Sequence, residues 1–140
     1  MRLVRDLMTR EPATLRPSDT VERAQREMQL GNIRHLPVLG RDHRLVGILS
    51  DRDLLHQPAA GAHVRDLMQG EVLSVAADTE LTEAAYMLLS RRIGSLPVCD
   101  GDGQLLGILT ETDFVRLAYR LLGGTDLEDR AREERESERI

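Results

Sequence analysis

The pentapeptide Val4-Arg5-Asp6-Leu7-Met8 recurs letter for letter as Val64-Arg65-Asp66-Leu67-Met68, a shift of sixty positions. The same shift carries Ile33-Arg34-His35-Leu36-Pro37-Val38 onto Ile93-Gly94-Ser95-Leu96-Pro97-Val98. It also carries Leu45-Val46-Gly47-Ile48-Leu49-Ser50-Asp51-Arg52-Asp53-Leu54 onto Leu105-Leu106-Gly107-Ile108-Leu109-Thr110-Glu111-Thr112-Asp113-Phe114. Three blocks in one order at one spacing make the chain an internal repeat, and a repeat restricts the folds open to it. About sixty residues alone bury too little surface to offset the entropy of ordering them. The two halves are therefore expected to fold as one body, packed about a pseudo-twofold axis. A site at their interface should then occur in pairs.

Each half reads as strand, helix, strand, strand, helix. The first strand is expected near Ala13-Thr14-Leu15 and Val72-Leu73-Ser74-Val75. Asp19-Thr20 and Asp78-Thr79 are helix N-cap signals, and Glu22 fits a capping box with Asp19. The following helices carry Val21, Ala24 and Met28, then Leu81, Ala84, Ala85 and Leu88, one apolar face each. Leu36–Leu39 with Leu45–Leu49, and Leu96–Cys99 with Leu105–Leu109, read as hairpins around Gly/Asp turns. Pro37 and Pro97 lack an N–H, which places them at a strand start or edge. A second helix is expected after each hairpin, opening at Ser50 and at Thr110. Gln57-Pro58-Ala59-Ala60-Gly61 reads as a linker, and Gly123-Gly124 as a helix stop. The organisation expected is a first repeat over residues 1–60, a second over 61–123 and a charged tail over 124–140. The tail interleaves Glu and Arg at helical spacing but has little apolar surface to bury, so a solvated helix and a frayed end are both open.

Composition narrows the function. With no Trp, one Phe and two Tyr, the core must be aliphatic, and base stacking on aromatic rings is nearly excluded. The net charge of −5 is concentrated in the tail; outside Thr125–Ile140 there are 17 acids against 15 Arg. That balance does not resemble a nucleic-acid footprint. Cys99 is the only cysteine, so no intrachain disulfide is expected. No apolar run approaches a membrane span, and the N-terminus lacks an apolar signal region. A soluble, cytoplasmic protein with no membrane or nucleic-acid partner is expected.

The segments Gly47-Ile48-Leu49-Ser50-Asp51-Arg52-Asp53 and Gly107-Ile108-Leu109-Thr110-Glu111-Thr112-Asp113 carry the chemistry. Each is an aliphatic strand, a hydroxyl residue and an Asp three positions on. Ser/Thr-x-x-Asp is also a capping box, in which the Asp returns a hydrogen bond to the cap residue. The same geometry suits a ligand: a helix N-terminus attracts phosphate, a carboxylate accepts both hydroxyls of a ribose, and a small hydroxyl reaches sugar or phosphate.

With its two Leu-Pro-Val segments and two Gly-Ile-Leu-Ser/Thr-x-x-Asp segments in register, the chain resembles a tandem pair of cystathionine β-synthase (CBS) domains, a Bateman module. The resemblance spans about residues 3 to 122. It implies an α+β or α/β fold of two β-α-β-β-α repeats with ligand clefts between them. It implies adenosine-containing effectors (AMP, ADP, ATP or S-adenosylmethionine) rather than an obligatory cofactor. It assigns ribose to Asp53 and Asp113, with Ser50 and Thr110 on sugar or phosphate. Residues around the Leu-Pro-Val strands would line the pockets: Arg34, His35 and Pro37 in the first, and Ile93, Gly94, Ser95 and Pro97 in the second. The partner repeat would close each pocket, with Met68 and Val72 over the first and Met8 and Ala13 over the second. Arg34, His35 and Arg52 give the first copy positive charge that Gly94, Ser95 and Thr112 do not, so a polyphosphate is easier to place near Asp53. A homodimer and an effector protein are the implied partners.

Two further readings compete. A structural or oligomerisation module with degenerate sites is opposed by both Asp residues being intact. An enzyme is opposed by the lack of any nucleophile–base pair, metal cluster or Walker-type loop. His43, His56 and His63 have no metal-ligand spacing. Asp100, Asp102 and Glu111 mimic a calcium loop, but Leu105 stands where that loop needs Gly.

Overall fold

The repeat is visible in the backbone as pairs of hydrogen bonds exchanged between the halves. The protein is described as a computed structural model covering residues 1–56 and 59–139. It divides into two units, Met1–Thr110 and Glu111–Ile140. In the first, the order is α1 (Val4–Leu7), β1 (Thr9–Arg10), α2 (Val21–Gly31), β2 (His35–Leu39), β3 (Leu45–Ser50), α3 (Val64–Leu67), α4 (Leu81–Arg91), β4 (Ser95–Cys99) and β5 (Leu105–Thr110). The second unit holds α5 (Glu111–Leu121) and α6 (Leu127–Glu138).

α1 and α3 are single turns, too short to persist by their own hydrogen bonds. Each is anchored by a fully buried valine, Val4 or Val64. Each also donates backbone bonds to the opposite half. Val4 and Arg5 donate to the carbonyls of Thr79 and Ala77, at 2.8 and 2.9 Å. Val64 and Arg65 donate to Asp19 and Pro17, at 2.8 and 3.0 Å. The carboxylates of Asp6 and Asp66 accept from the backbone N–H groups of Leu3 and His63, which open these turns.

The exchange continues into the sheets. β4 and β5 pair antiparallel, and β1 from the first half joins them with Thr9 opposite Ile108 and Arg10 opposite Gly107. β2 and β3 pair antiparallel, and Gln69 from the second half bridges to Ile48 through bonds of 2.9 and 3.0 Å. Glycine at 47 and 107 makes this possible. A Cβ on Gly47 would lie 2.6 Å from Met68 Sδ, and one on Gly107 2.6 Å from the Thr9 carbonyl oxygen. Leu15, Ala24, Met28, Leu36, Val38, Leu49 and Val64 form one core cluster, so the first half's core includes a second-half residue.

Several sequence expectations change. The first strand of each half is a single bridge, Leu15 to Val38 and Val75 to Val98. In the first half, Pro12 and Pro17 flank that residue and withhold the donors a longer ladder needs. The cap of α2 is Thr20, whose hydroxyl accepts from Arg23 N–H at 3.2 Å, while Asp19 accepts from Arg16 N–H at 2.7 Å. With Thr20 as the cap, Glu22 stands at the second helical position, one short of the third, where a capping box needs it. α4 is capped by Glu80 without a side-chain bond, so Asp78-Thr79 is not its cap. Ala85 is half-buried, unlike its neighbour Ala84. Pro37 and Pro97 lie mid-strand, on β2 and β4, each the outer strand of its sheet. After β3 the expected second helix is one 3-10 turn, Asp53–Leu55, since Pro58 follows too soon for an α-helix to develop. The Gln57 and Pro58 part of the expected linker lies outside the described residues.

In the second unit, α5 ends before Gly123, whose φ of +94° suits a glycine stop, and a Cβ on Gly124 would run into the Tyr119 ring. The tail is a helix. Asp126 caps α6 by accepting from the N–H groups of Glu128 and Asp129, and Arg130 pairs with Glu134 at 3.5 Å one turn on.

Candidate functional site

Where β3 ends, the chain turns sharply and brings the carboxylate of Asp53 back onto Ser50. Asp53 Oδ2 accepts from the Ser50 N–H at 2.8 Å and from the Ser50 hydroxyl at 3.1 Å. The Ser50 Oγ accepts in return from the Asp53 N–H at 3.4 Å. This is the reciprocal capping box that the spacing allows, built on a 3-10 turn rather than an α-helix. Asp51 N–H donates to the Arg34 carbonyl at 2.9 Å, fixing the turn against the start of β2, where His35 faces Ser50 across the ladder.

The other carboxylate oxygen faces the opposite half. Gln69 Nε2 donates to Asp53 Oδ1 at 3.1 Å. Met68, one residue earlier, packs against Gly47 on β3. The site is therefore a seam: Arg34, His35, Gly47, Ser50 and Asp53 come from one half, Met68 and Gln69 from the other. Asp53 is half-buried, so its charge is held in a defined direction while remaining reachable. Such a group offers paired acceptors to hydroxyls; Arg52, exposed, precedes it in the chain, and Arg34, also exposed, is tied to the same turn through its carbonyl.

Other expected site residues fall elsewhere. Val72 lines a groove of about 310 Å³ with Leu45, Val46 and Gly70, nearer the hairpin end of β3 than its Ser50 end. Pro37 and Pro97 are fully buried. Gly94 lies under His35, whose Nε2 would be 2.7 Å from a Cβ there, and Ser95 is buried opposite Thr110. Ile93 is half-buried and donates its N–H to Leu88 at 3.3 Å. Ala13 is exposed. Met8 packs on Gly107 as Met68 does on Gly47. Thr110 ends β5 in the first unit, whereas Thr112 and Asp113 belong to the first turn of α5 in the second.

Gln69, which bonds Asp53 across the seam, is not among the site residues expected from the sequence. Its signal is present: the identical pentapeptides are followed at once by a difference, Thr9 in one copy and Gln69 in the other.

Two larger depressions lie at the hairpin turns rather than at this seam. One, of about 470 Å³, is lined by Arg16, Asp19, Arg23, Arg41, Asp42 and His43. Its repeat-related counterpart, of about 410 Å³, is lined by residues including Arg5, Asp78, Cys99 and Asp100. Cys99 is buried, and burial raises its thiol above the ordinary range. Among the described residues, no three His, Cys, Asp or Glu side chains are grouped to hold a metal ion. No helix among them is long and apolar enough to cross a membrane.

Comparison with known proteins finds the CBS domain twice, over residues 4–59 and 64–120. The crystal structure of CBSX2 in complex with AMP superposes with a TM-score of 0.79 at 35% identity, covering 86% of this chain and 98% of that one. The CBS domain pair of protein MJ0100, in complex with 5-methylthioadenosine and S-adenosyl-L-methionine, gives a TM-score of 0.77 at 27% identity over 82% of this chain and 94% of that one. Inosine-5'-monophosphate dehydrogenase of Mycobacterium bovis is 34% identical over 124 residues, 88% of this chain and 23% of the enzyme. The chain spans about a quarter of the length of the curated relatives it matches.

Proposed function

The chain belongs to the CBS domain family, and from that premise we propose that it is a regulatory module whose effector is an adenosine-containing ligand: AMP, ADP, ATP or S-adenosylmethionine. The observation that carries this is the carboxylate of Asp53, half-buried at the seam between the halves and oriented by Ser50. A ribose diol placed there hydrogen-bonds to a charged acceptor whose direction is already fixed, so little ordering entropy is lost on binding. Arg34 and Arg52 supply charge for a phosphate. The AMP and S-adenosylmethionine complexes of the two structural relatives support the same ligand class.

The repeats are taken as residues 1–60 and 61–123, with residues 124–140 as an appended helix. Ligand bound at a seam contacts both repeats, so it favours one arrangement of the halves by its differential affinity for it. The output passes to an effector protein or through self-association, without catalysis by the module itself. Exposed Leu30 on α2 and exposed Tyr86 and Leu89 on α4 support a homodimer. Sedimentation velocity on wild type and Leu89→Glu checks this, and a wild-type monomer at all concentrations would oppose it.

A thermal-shift panel of AMP, ADP, ATP, S-adenosylmethionine and GTP on wild type and Asp53→Ala tests the function. A ligand that binds only the native state adds about 2.7 kcal/mol at a hundredfold excess over Kd. A shift for an adenosine ligand that Asp53→Ala loses supports the proposal. No shift with any ligand leaves Ser50–Asp53 as a capping box and the chain as a structural module.

A further inference from the structure

We infer that Gln69 is an intramolecular competitor for the ribose site, setting both the affinity and the sugar selectivity of Asp53; this rests on the ribose reading of Asp53 proposed above. A carboxylate has about four lone-pair directions. Three of Asp53's are filled: Oδ2 by the Ser50 N–H and hydroxyl, and Oδ1 by Gln69 Nε2. A ribose diol needs two open acceptor directions, and only one, on Oδ1, is unfilled; the other direction on Oδ1 is held by the Gln69 carboxamide. Both Ser50 bonds belong to the turn and persist, whereas the Gln69 bond is the one a diol must displace to gain its second acceptor direction.

The placement of Gln69 makes this more than a surface contact. Its backbone pairs with Ile48 in both directions, so its exposed side chain springs from a residue held against β3, within reach of Asp53. Yet Gln69 belongs to the second half and Asp53 to the first. Displacing the carboxamide therefore breaks a side-chain tie between the halves at the moment the ligand enters. The other half has Thr9 at the corresponding position, a side chain too short to make the same reach.

Sugar selectivity separates this role from a purely structural one. A monodeoxy nucleotide needs only the open direction on Oδ1 and lets Gln69 keep its bond, so part of the missing hydroxyl's contribution is offset. Without Gln69 the full contribution is lost. Removing Gln69 should thus tighten AMP and widen the gap between AMP and a deoxy analogue.

The test is calorimetric titration of AMP, 2′-deoxy-AMP, 3′-deoxy-AMP and S-adenosylmethionine into wild type, Gln69→Ala and Gln69→Thr. The threonine variant installs the residue that the other repeat carries at the matching position. Both variants should bind AMP about fivefold tighter than wild type, and one of the deoxy discriminations should grow by a similar factor. Equal or weaker binding of AMP or S-adenosylmethionine by both variants, with unchanged discrimination, overturns the inference and leaves the ribose reading standing. Failure of all three proteins to bind either ligand overturns both.

Discussion

Asp6 shows at single-residue scale how the repeat is held. Its carboxylate accepts from the N–H groups of Leu3 and Arg2, and those two bonds, Leu3's first, hold its pKa below the usual 3.8. A group whose folded pKa is depressed stabilises the native state above its unfolded pKa and loses that contribution as pH falls through the folded value. Asp6→Asn should therefore flatten the stability profile below about pH 4 and leave the profile above pH 6 parallel to wild type. Urea unfolding across that range measures it; an unchanged acid limb would contradict the assignment. Asp53 uses the same local device at the end of β3, with one oxygen on Ser50 and the other turned toward Gln69. The motif spacing made the Asp53–Ser50 contact legible from sequence. The Thr9/Gln69 difference marked the position, but the Gln69–Asp53 contact was not legible, because sixteen residues separate the two and only the seam brings them together.

At the scale of elements, the sheets depend on close backbone approach at Gly47 and Gly107. An added Cβ at Gly107 meets the Thr9 carbonyl oxygen at 2.6 Å, a backbone atom of a paired strand. At Gly47 the nearest atom is the Met68 sulfur, the flexible part of a long side chain, and the Gln69 carbonyl lies at 3.0 Å. Gly107→Ala should cost about 3 kcal/mol and Gly47→Ala about 1 to 2 kcal/mol, as overpacking costs run. Denaturant melts of the two variants decide the order, and equal costs would argue against the backbone account. The hairpins and the buried faces of α2 and α4 were readable from periodicity and turn residues. The helix starts were not, because Asp19, Thr20, Asp78 and Thr79 are all capping residue types, yet only Thr20 serves as a cap and α4 starts after Glu80. Nor was the shortened segment after Ser50, a single 3-10 turn over Asp53–Leu55 where the other copy of the motif leads into α5.

At the scale of the first unit, the exchanged segments bind the two halves to each other. β1 supplies the third strand of the second half's sheet, and Val64 completes the first half's core. Deleting residues 1–10 removes the buried Val4 and the β1–β5 ladder, at a cost on the order of 3 kcal/mol. Hydrogen exchange should then show β5 amides losing protection ahead of those of β3, whose partner segment around Gln69 is retained. Uniform loss in both strands would mean that the exchange is not directional. The sixty-residue shift announced this reciprocity, although it could not say which segments cross.

The most direct measurement is a crystal structure of the protein grown with AMP, and in parallel with S-adenosylmethionine. The account predicts a ribose whose hydroxyls lie within hydrogen-bond distance of the Asp53 carboxylate, with the Gln69 carboxamide displaced. Ligand bound elsewhere, or none bound with the Ser50–Asp53–Gln69 bonds intact at saturating concentration, would contradict it.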